Sequence, residues 1–121
     1  VKEGMRVTLG SDIAGGALLA MNKVVTAAIR ASKVKRIETN WTDDFLTVAE
    51  AFYLGTTGGA KFFGAGEGFA AGDELHAIVV DDADLPKPAK KLSVAERFER
   101  AVYLMDKHNI TAVYSAGRQV K

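Results

Sequence analysis

The chain has 121 residues, 48% hydrophobic and 26% charged, with 16 basic side chains against 15 acidic ones and a net charge of +1. This is the profile of a globular chain with room for one ordinary core, and it gives no electrostatic footing for nucleic acid or an anionic membrane as a dedicated partner. The lack of cysteine excludes disulfides and thiolate metal sites and points to a reducing, cytoplasmic setting, and no apolar run reaches the roughly 20 residues of a bilayer-spanning helix.

Val1, Lys2 and Glu3 open the sequence without an initiating Met or a signal peptide. They lead at once into Met5-Arg6-Val7-Thr8-Leu9, where apolar and polar residues alternate, so a short strand is predicted. A chain that begins almost inside a strand is expected to be a piece of a longer one. Gly10-Ser11-Asp12 and then Ile13-Ala14-Gly15-Gly16 form a glycine-rich loop. Residues 17–36 are predicted helical. Leu18, Met21, Val25 and Ala28 or Ile29 share one face, and Asn22, Thr26, Arg30 and Lys33 lie opposite. Ala20, Val24, Ala27 and Ala31 widen the apolar side, so this helix is expected to be covered on more than one side.

After a polar connection over 35–44, Thr47 and Glu50 have capping-box spacing and predict a helix to residue 54. Thr56 or Thr57 is placed to cap a second short helix ending at Phe62 or Phe63, with Gly64 as its left-handed stop. A glycine-rich turn over 64–72 precedes a buried-type strand over 76–80. A linker with Pro86 and Pro88 follows. Ser93 and Glu96 make a second capping box. The helix behind it sets Val94, Phe98, Ala101, Val102 and Met105 on one face. Thr111 to Ser115, the turn Ala116-Gly117 and Arg118-Gln119-Val120 predict a terminal hairpin.

Asp12 is the best candidate for chemistry. It stands just past a predicted strand and before a glycine-rich turn, the edge of a parallel α/β fold where loops converge on ligands. A carboxylate there can ligate a cation or shuttle a proton. The plainer alternative is that Asp12 caps the following helix, which on spacing alone is the commoner role. The loop from Gly10 to Gly16 has neither the Gly-Lys-Ser/Thr ending of a nucleotide-binding loop nor a Gly-x-Gly-x-x-Gly pattern. His76 is expected to open a strand and His108 to sit in a last helical turn, and neither has a partner at i+2 or i+4. Trp41, Phe45, Phe52, Tyr53, Phe62 and Phe63 read as core and interface side chains. A catalytic zinc needs at least three protein ligands, so Asp12 would need residues from elsewhere.

Leu9-Gly10-Ser11-Asp12 followed by Ile13-Ala14-Gly15-Gly16 resembles the end of the last barrel strand in amidohydrolase-superfamily deaminases, and within them the guanine deaminase family most. Three later stretches are similar in the same order. They are Glu50-Ala51-Phe52-Tyr53-Leu54 with Thr57-Gly58-Gly59-Ala60 and Phe63-Gly64; Gly68-Phe69-Ala70-Ala71-Gly72 through Ala77-Ile78-Val79-Val80-Asp81; and Glu96-Arg97 with Ile110 to Val120. The resemblance implies an α/β fold, with the last strand and helix of a (β/α)8 barrel plus linking helices in residues 1–64. Residues 65–121 would then be the C-terminal part of a small β-sandwich domain with one helix. It further implies a parent enzyme that hydrolyses a purine's exocyclic amine at zinc or another divalent metal, with Asp12 both metal-contacting and catalytic. A homo-oligomer is expected separately, because the strand over 5–9 has unpaired edges that invite association. The His-x-His pair, two further histidines, the acid–base Glu and the purine-binding side chains would lie upstream, so the piece alone is expected to be inactive and to retain no metal.

Two positions depart from the family pattern. Ala17-Leu18-Leu19-Ala20 replaces a polar or aromatic residue and a Ser beside the active site, which bears on substrate identity. Leu75-His76 replaces Ala-Asp at the small-domain strand, which bears on packing. Cytosine or an adenosine derivative is the rival substrate within the superfamily. A binding or assembly module, with Asp12 only a cap, is the rival of another class.

Overall fold

Thr47 and Ser93 each accept a hydrogen bond from the backbone N–H three residues on, while Glu50 and Glu96 reach back to the cap residue's own N–H. Two backbone donors are thereby satisfied at each helix start, and both capping boxes form as the sequence predicts. The structure, a computed structural model, describes residues 4–64 and 68–121. It divides into two compact units, Val1–Phe63 and Gly64–Lys121.

The first unit contains α1 (Met21–Glu38), α2 (Val48–Gly55) and α3 (Thr57–Phe62). Val25, Thr26 and Ile29 on α1 and Ala51 and Leu54 on α2 are the buried ones among its described residues, and the two helices pack on one another. Gly55 allows the approach, because a Cβ there would stand 2.9 Å from Val25 Cγ2. Ser32 fastens the returning loop, accepting from the Leu46 N–H at 2.9 Å and donating to the Ile29 carbonyl at 2.8 Å. Thr56 breaks the path between α2 and α3 with φ −130° and ψ −95°. Gly64 takes φ +67° after α3, the left-handed stop expected of it.

The second unit contains β1 (Ala77–Val80), α4 (Val94–Leu104), β2 (Ile110–Ser115) and β3 (Arg118–Gln119). The strands form one antiparallel sheet in the order β1-β2-β3, with Ala77 opposite Tyr114 and a bulge between Val79 and Val80. Ala116 and Gly117 turn β2 into β3 with φ +49° and +73°, positive at both central residues as a tight hairpin requires. Leu85, Val102 and Met105 are buried. Asp82 holds the loop before α4 by accepting from Arg97 Nε and Nη2 at 2.9 and 2.8 Å. Arg100 Nη2 donates to the carbonyls of Leu85 and Pro86 at 2.8 and 2.6 Å.

Four sequence expectations are corrected. Residues 5–9 form no strand ladder, since the unit that holds them contains helices alone among the described residues and a strand needs a partner to bond. α1 begins at Met21 rather than Ala17 and runs on to Glu38, leaving Leu18 and Leu19 exposed before it. No capping side chain marks its start, which falls at Ala20 in an extended conformation. Val94, expected on the packed face of its helix, is 82% exposed. His108 lies beyond the helix, in a turn where its N–H donates to Asp106 Oδ1 at 2.7 Å. Of the glycine-rich turn over 64–72, Ala65, Gly66 and Glu67 fall outside the described residues.

Candidate active site

The segment carrying Asp12 has no helix or strand of its own, so its position depends on a few specific contacts. The Leu9 N–H and the Thr8 hydroxyl both donate to the Leu54 carbonyl at 3.0 Å. Leu54 is the penultimate residue of α2, where a helix leaves carbonyls without intrahelical partners. The two donors satisfy one of them and tie the extended segment to the packed helix pair.

Beyond this anchor the chain closes a tight turn. Asp12 takes φ +46° and Ala14 φ +80°. The Asp12 carbonyl accepts from the Gly15 N–H at 2.9 Å and also from the Gly16 N–H. Left-handed backbone is tolerated by Asp but costs Ala about 1 kcal/mol or more. The turn has no room for another residue at Gly16, which faces backbone, while Gly15 faces the Asp12 side chain. A Cβ on Gly16 would overlap the Ser11 carbonyl oxygen, and one on Gly15 would stand 2.7 Å from Asp12 Oδ2. The Asp12 carboxylate therefore lies over the bare Cα of Gly15. It is exposed and makes no hydrogen bond or ion pair with the described residues.

The capping alternative for Asp12 does not hold, because α1 begins nine residues later, behind Ala20, and has no side-chain cap. What remains is a carboxylate presented on a strained turn, free to ligate a cation or carry a proton. Both histidines lie in the second unit, His108 in the turn after α4. His76 Nε2 meets Glu74 Oε2 at 2.9 Å in the second unit. Among the described residues no group of three or more His, Cys, Asp or Glu is arranged to hold a metal ion. Asp12 is one donor of the three that a catalytic zinc requires, so these residues by themselves do not fit such an ion. No described helix is long and apolar enough to cross a membrane.

Sequence reasoning reached Asp12 and the glycines but passed over Thr8. Its signal was the alternation that sets Thr8 with Arg6 on the polar side of the segment, where a hydroxyl can find a backbone acceptor.

The sequence model of the amidohydrolase family matches residues 1–120. Guanine deaminase of Homo sapiens is 30% identical over 130 residues, covering 99% of this chain and 28% of that protein. Guanine deaminase of Dictyostelium discoideum is 28% identical over 127 residues, covering 100% of this chain and 28% of that protein. The crystal structure of guanine deaminase from C. acetobutylicum with bound guanine in the active site superimposes with a TM-score of 0.91 at 38% identity. That match covers 99% of this chain and 28% of that one. The chain thus spans little more than a quarter of these relatives' length and shares their α/β fold over that part.

Proposed function

The chain belongs to the amidohydrolase family, and from that premise we propose that it is the C-terminal part of a guanine-deaminase-like hydrolase. The parent enzyme would remove the exocyclic amine of guanine as ammonia, leaving xanthine. The observation that carries this reading is the likeness to a guanine-bound guanine deaminase along nearly the whole chain. In this reading residues 1–64 supply the last strand and helix of the barrel with its linking helices. Residues 65–121 supply the C-terminal part of a small β domain.

Asp12 is the residue of this chain assigned to the chemistry. Its carboxylate is exposed, unpaired among the described residues and held on a turn that fixes its backbone. Those properties suit a ligand to a divalent ion such as zinc and a carrier of the proton that the leaving amine takes up. The ion's other ligands would come from residues outside this chain, so the 121 residues alone would hold no ion and turn over no purine. The exposed side chains Met5, Val7, Ile13, Leu18 and Leu19 agree with that incompleteness, since they surround the Asp12 turn in sequence without being covered. Oligomer formation by the parent, with a purine as its small-molecule partner, belongs to the same proposal.

The test offers guanine, cytosine and an adenosine derivative, with zinc, to the longest natural chain carrying this sequence. Xanthine formed from guanine alone, and lost on Asp12→Asn, is the expected result. Turnover of cytosine or the adenosine derivative in place of guanine would reassign the substrate. Full activity in Asp12→Asn would end the role given to this carboxylate, and no turnover of any of the three would favour a binding or assembly module.

A further inference from the structure

Asp12 owes its place to its backbone, because its side chain has no partner among the described residues that would hold it. The question is then what holds the backbone. On its far side the turn runs into Ala17 to Ala20, which are exposed and outside any helix or strand. On its near side, four and three residues before Asp12, Thr8 and Leu9 make the two hydrogen bonds to the Leu54 carbonyl. We propose that Thr8 is a positioning residue for Asp12, its hydroxyl locking the end of the extended segment onto α2 so that the carboxylate is presented at a fixed point.

Three observations carry this. The acceptor is rigid: Leu54 is buried on a helix whose start is closed by the Thr47–Glu50 box and whose apolar face packs on α1. The hydroxyl's site is fitted, for a Cβ added to Gly59 on α3 would stand 3.0 Å from Thr8 Oγ1. Finally, the Thr8 and Leu9 donors converge on one oxygen, so the segment is held at two successive residues and cannot pivot freely about either bond. Beyond Leu9 only Gly10 and Ser11 separate the anchor from Asp12, and the turn after it is closed by its own backbone bonds. The short link leaves the carboxylate only two residues of chain through which to move away from the anchor.

This inference rests on the role assigned to Asp12 above, and its test separates the two. Thr8→Val keeps the shape and branching of threonine and removes the hydroxyl, and Thr8→Ser keeps the donor. Both are made in the longest natural chain carrying this sequence, beside Asp12→Asn. In Thr8→Val the expected result is a fall in kcat of about tenfold with KM within about twofold, the pattern of a misplaced reacting group rather than weakened binding. Thr8→Ser is expected to restore kcat. Hydrogen exchange gives a readout free of catalysis: the Leu9, Gly15 and Gly16 amides should exchange faster in Thr8→Val and return to normal in Thr8→Ser, while Ala51 and Leu54 keep their protection.

Unchanged exchange at those three amides in Thr8→Val would overturn the proposal whatever the activity. So would a fall in activity that Thr8→Ser does not restore. Loss of protection throughout α2 would overturn it too, by showing a general structural role. Activity surviving in Asp12→Asn, with the exchange pattern as expected, would instead sink the assignment of Asp12 and leave Thr8 as the anchor of the turn.

Discussion

Arg97 grips both carboxylate oxygens of Asp82, donating from Nε and Nη2 at 2.9 and 2.8 Å, and so joins the loop after β1 to the first turns of α4. Arg100 adds a second cation, its Nη1 lying 3.5 Å from Asp82 Oδ2. The Arg97 hydrogen bond, chiefly, holds the Asp82 carboxyl below its usual range, with the charges of both arginines acting in the same direction and partial burial opposing them. The same bond raises Arg97.

A carboxyl depressed in the folded state contributes stability that is present above its unfolded pKa and lost as pH falls through its folded value. The loop's docking on α4 should therefore be indifferent to pH near neutrality and begin to weaken below about pH 4, where free aspartate takes up its proton. Asp82→Asn should loosen the loop at pH 7 and flatten that acid limb. Amide exchange at Leu85, whose N–H donates to the Asp82 carbonyl, across a pH series is the measurement. A loop whose protection falls equally with acid in the wild type and in Asp82→Asn would refute the linkage.

The capping boxes should behave as separable local devices. Thr47→Ala removes the oxygen that accepts from the Glu50 N–H, and Ser93→Ala does the same at Glu96. Each is expected to cost about 1 kcal/mol. The two losses should add, because the boxes belong to different helices in different units. Denaturant midpoints of the two single variants and the double variant check this, and a double variant no weaker than either single one would contradict it.

Gly55 is predicted to resist substitution for a steric reason. Its α-helical position would ordinarily favour alanine. Here the added Cβ would stand 2.9 Å from Val25 Cγ2, a stiff branched methyl that cannot swing aside. Gly55→Ala should destabilise the first unit by about 1–3 kcal/mol through overpacking. Pairing it with Val25→Ala should recover part of the loss, and thermal denaturation of the single and double variants would reveal whether it does.

The Asp12 turn should fail at Gly16 before anywhere else. Gly16→Ala drives a methyl into the Ser11 carbonyl, which is backbone and cannot move without reshaping the turn. The expected result is loss of protection at the Gly15 amide and a large drop in any activity that depends on Asp12, with the helices intact by circular dichroism. Retained protection at Gly15 would show that the turn can be built another way.

Local chemistry made much of this chain legible from its residues. Thr47 with Glu50, Ser93 with Glu96, Gly64 as a left-handed stop and Ala116-Gly117 as a hairpin turn are contiguous signals, and each forms as predicted because its partners lie within four residues. The linear order of motifs likewise pointed to the amidohydrolase family, since a motif order survives in the sequence itself. Tertiary structure decided the rest. Residues 5–9 alternate like a strand yet lack a ladder, because strand bonding belongs to a pair and their unit offers none among the described residues. α1 starts at Met21 because the apolar pattern alone does not locate a helix end that no side chain caps. The setting of Asp12 was the last to emerge. It hangs on a carbonyl at Leu54, more than forty residues further along the chain, and only packing of α2 on α1 brings that oxygen within reach of Thr8.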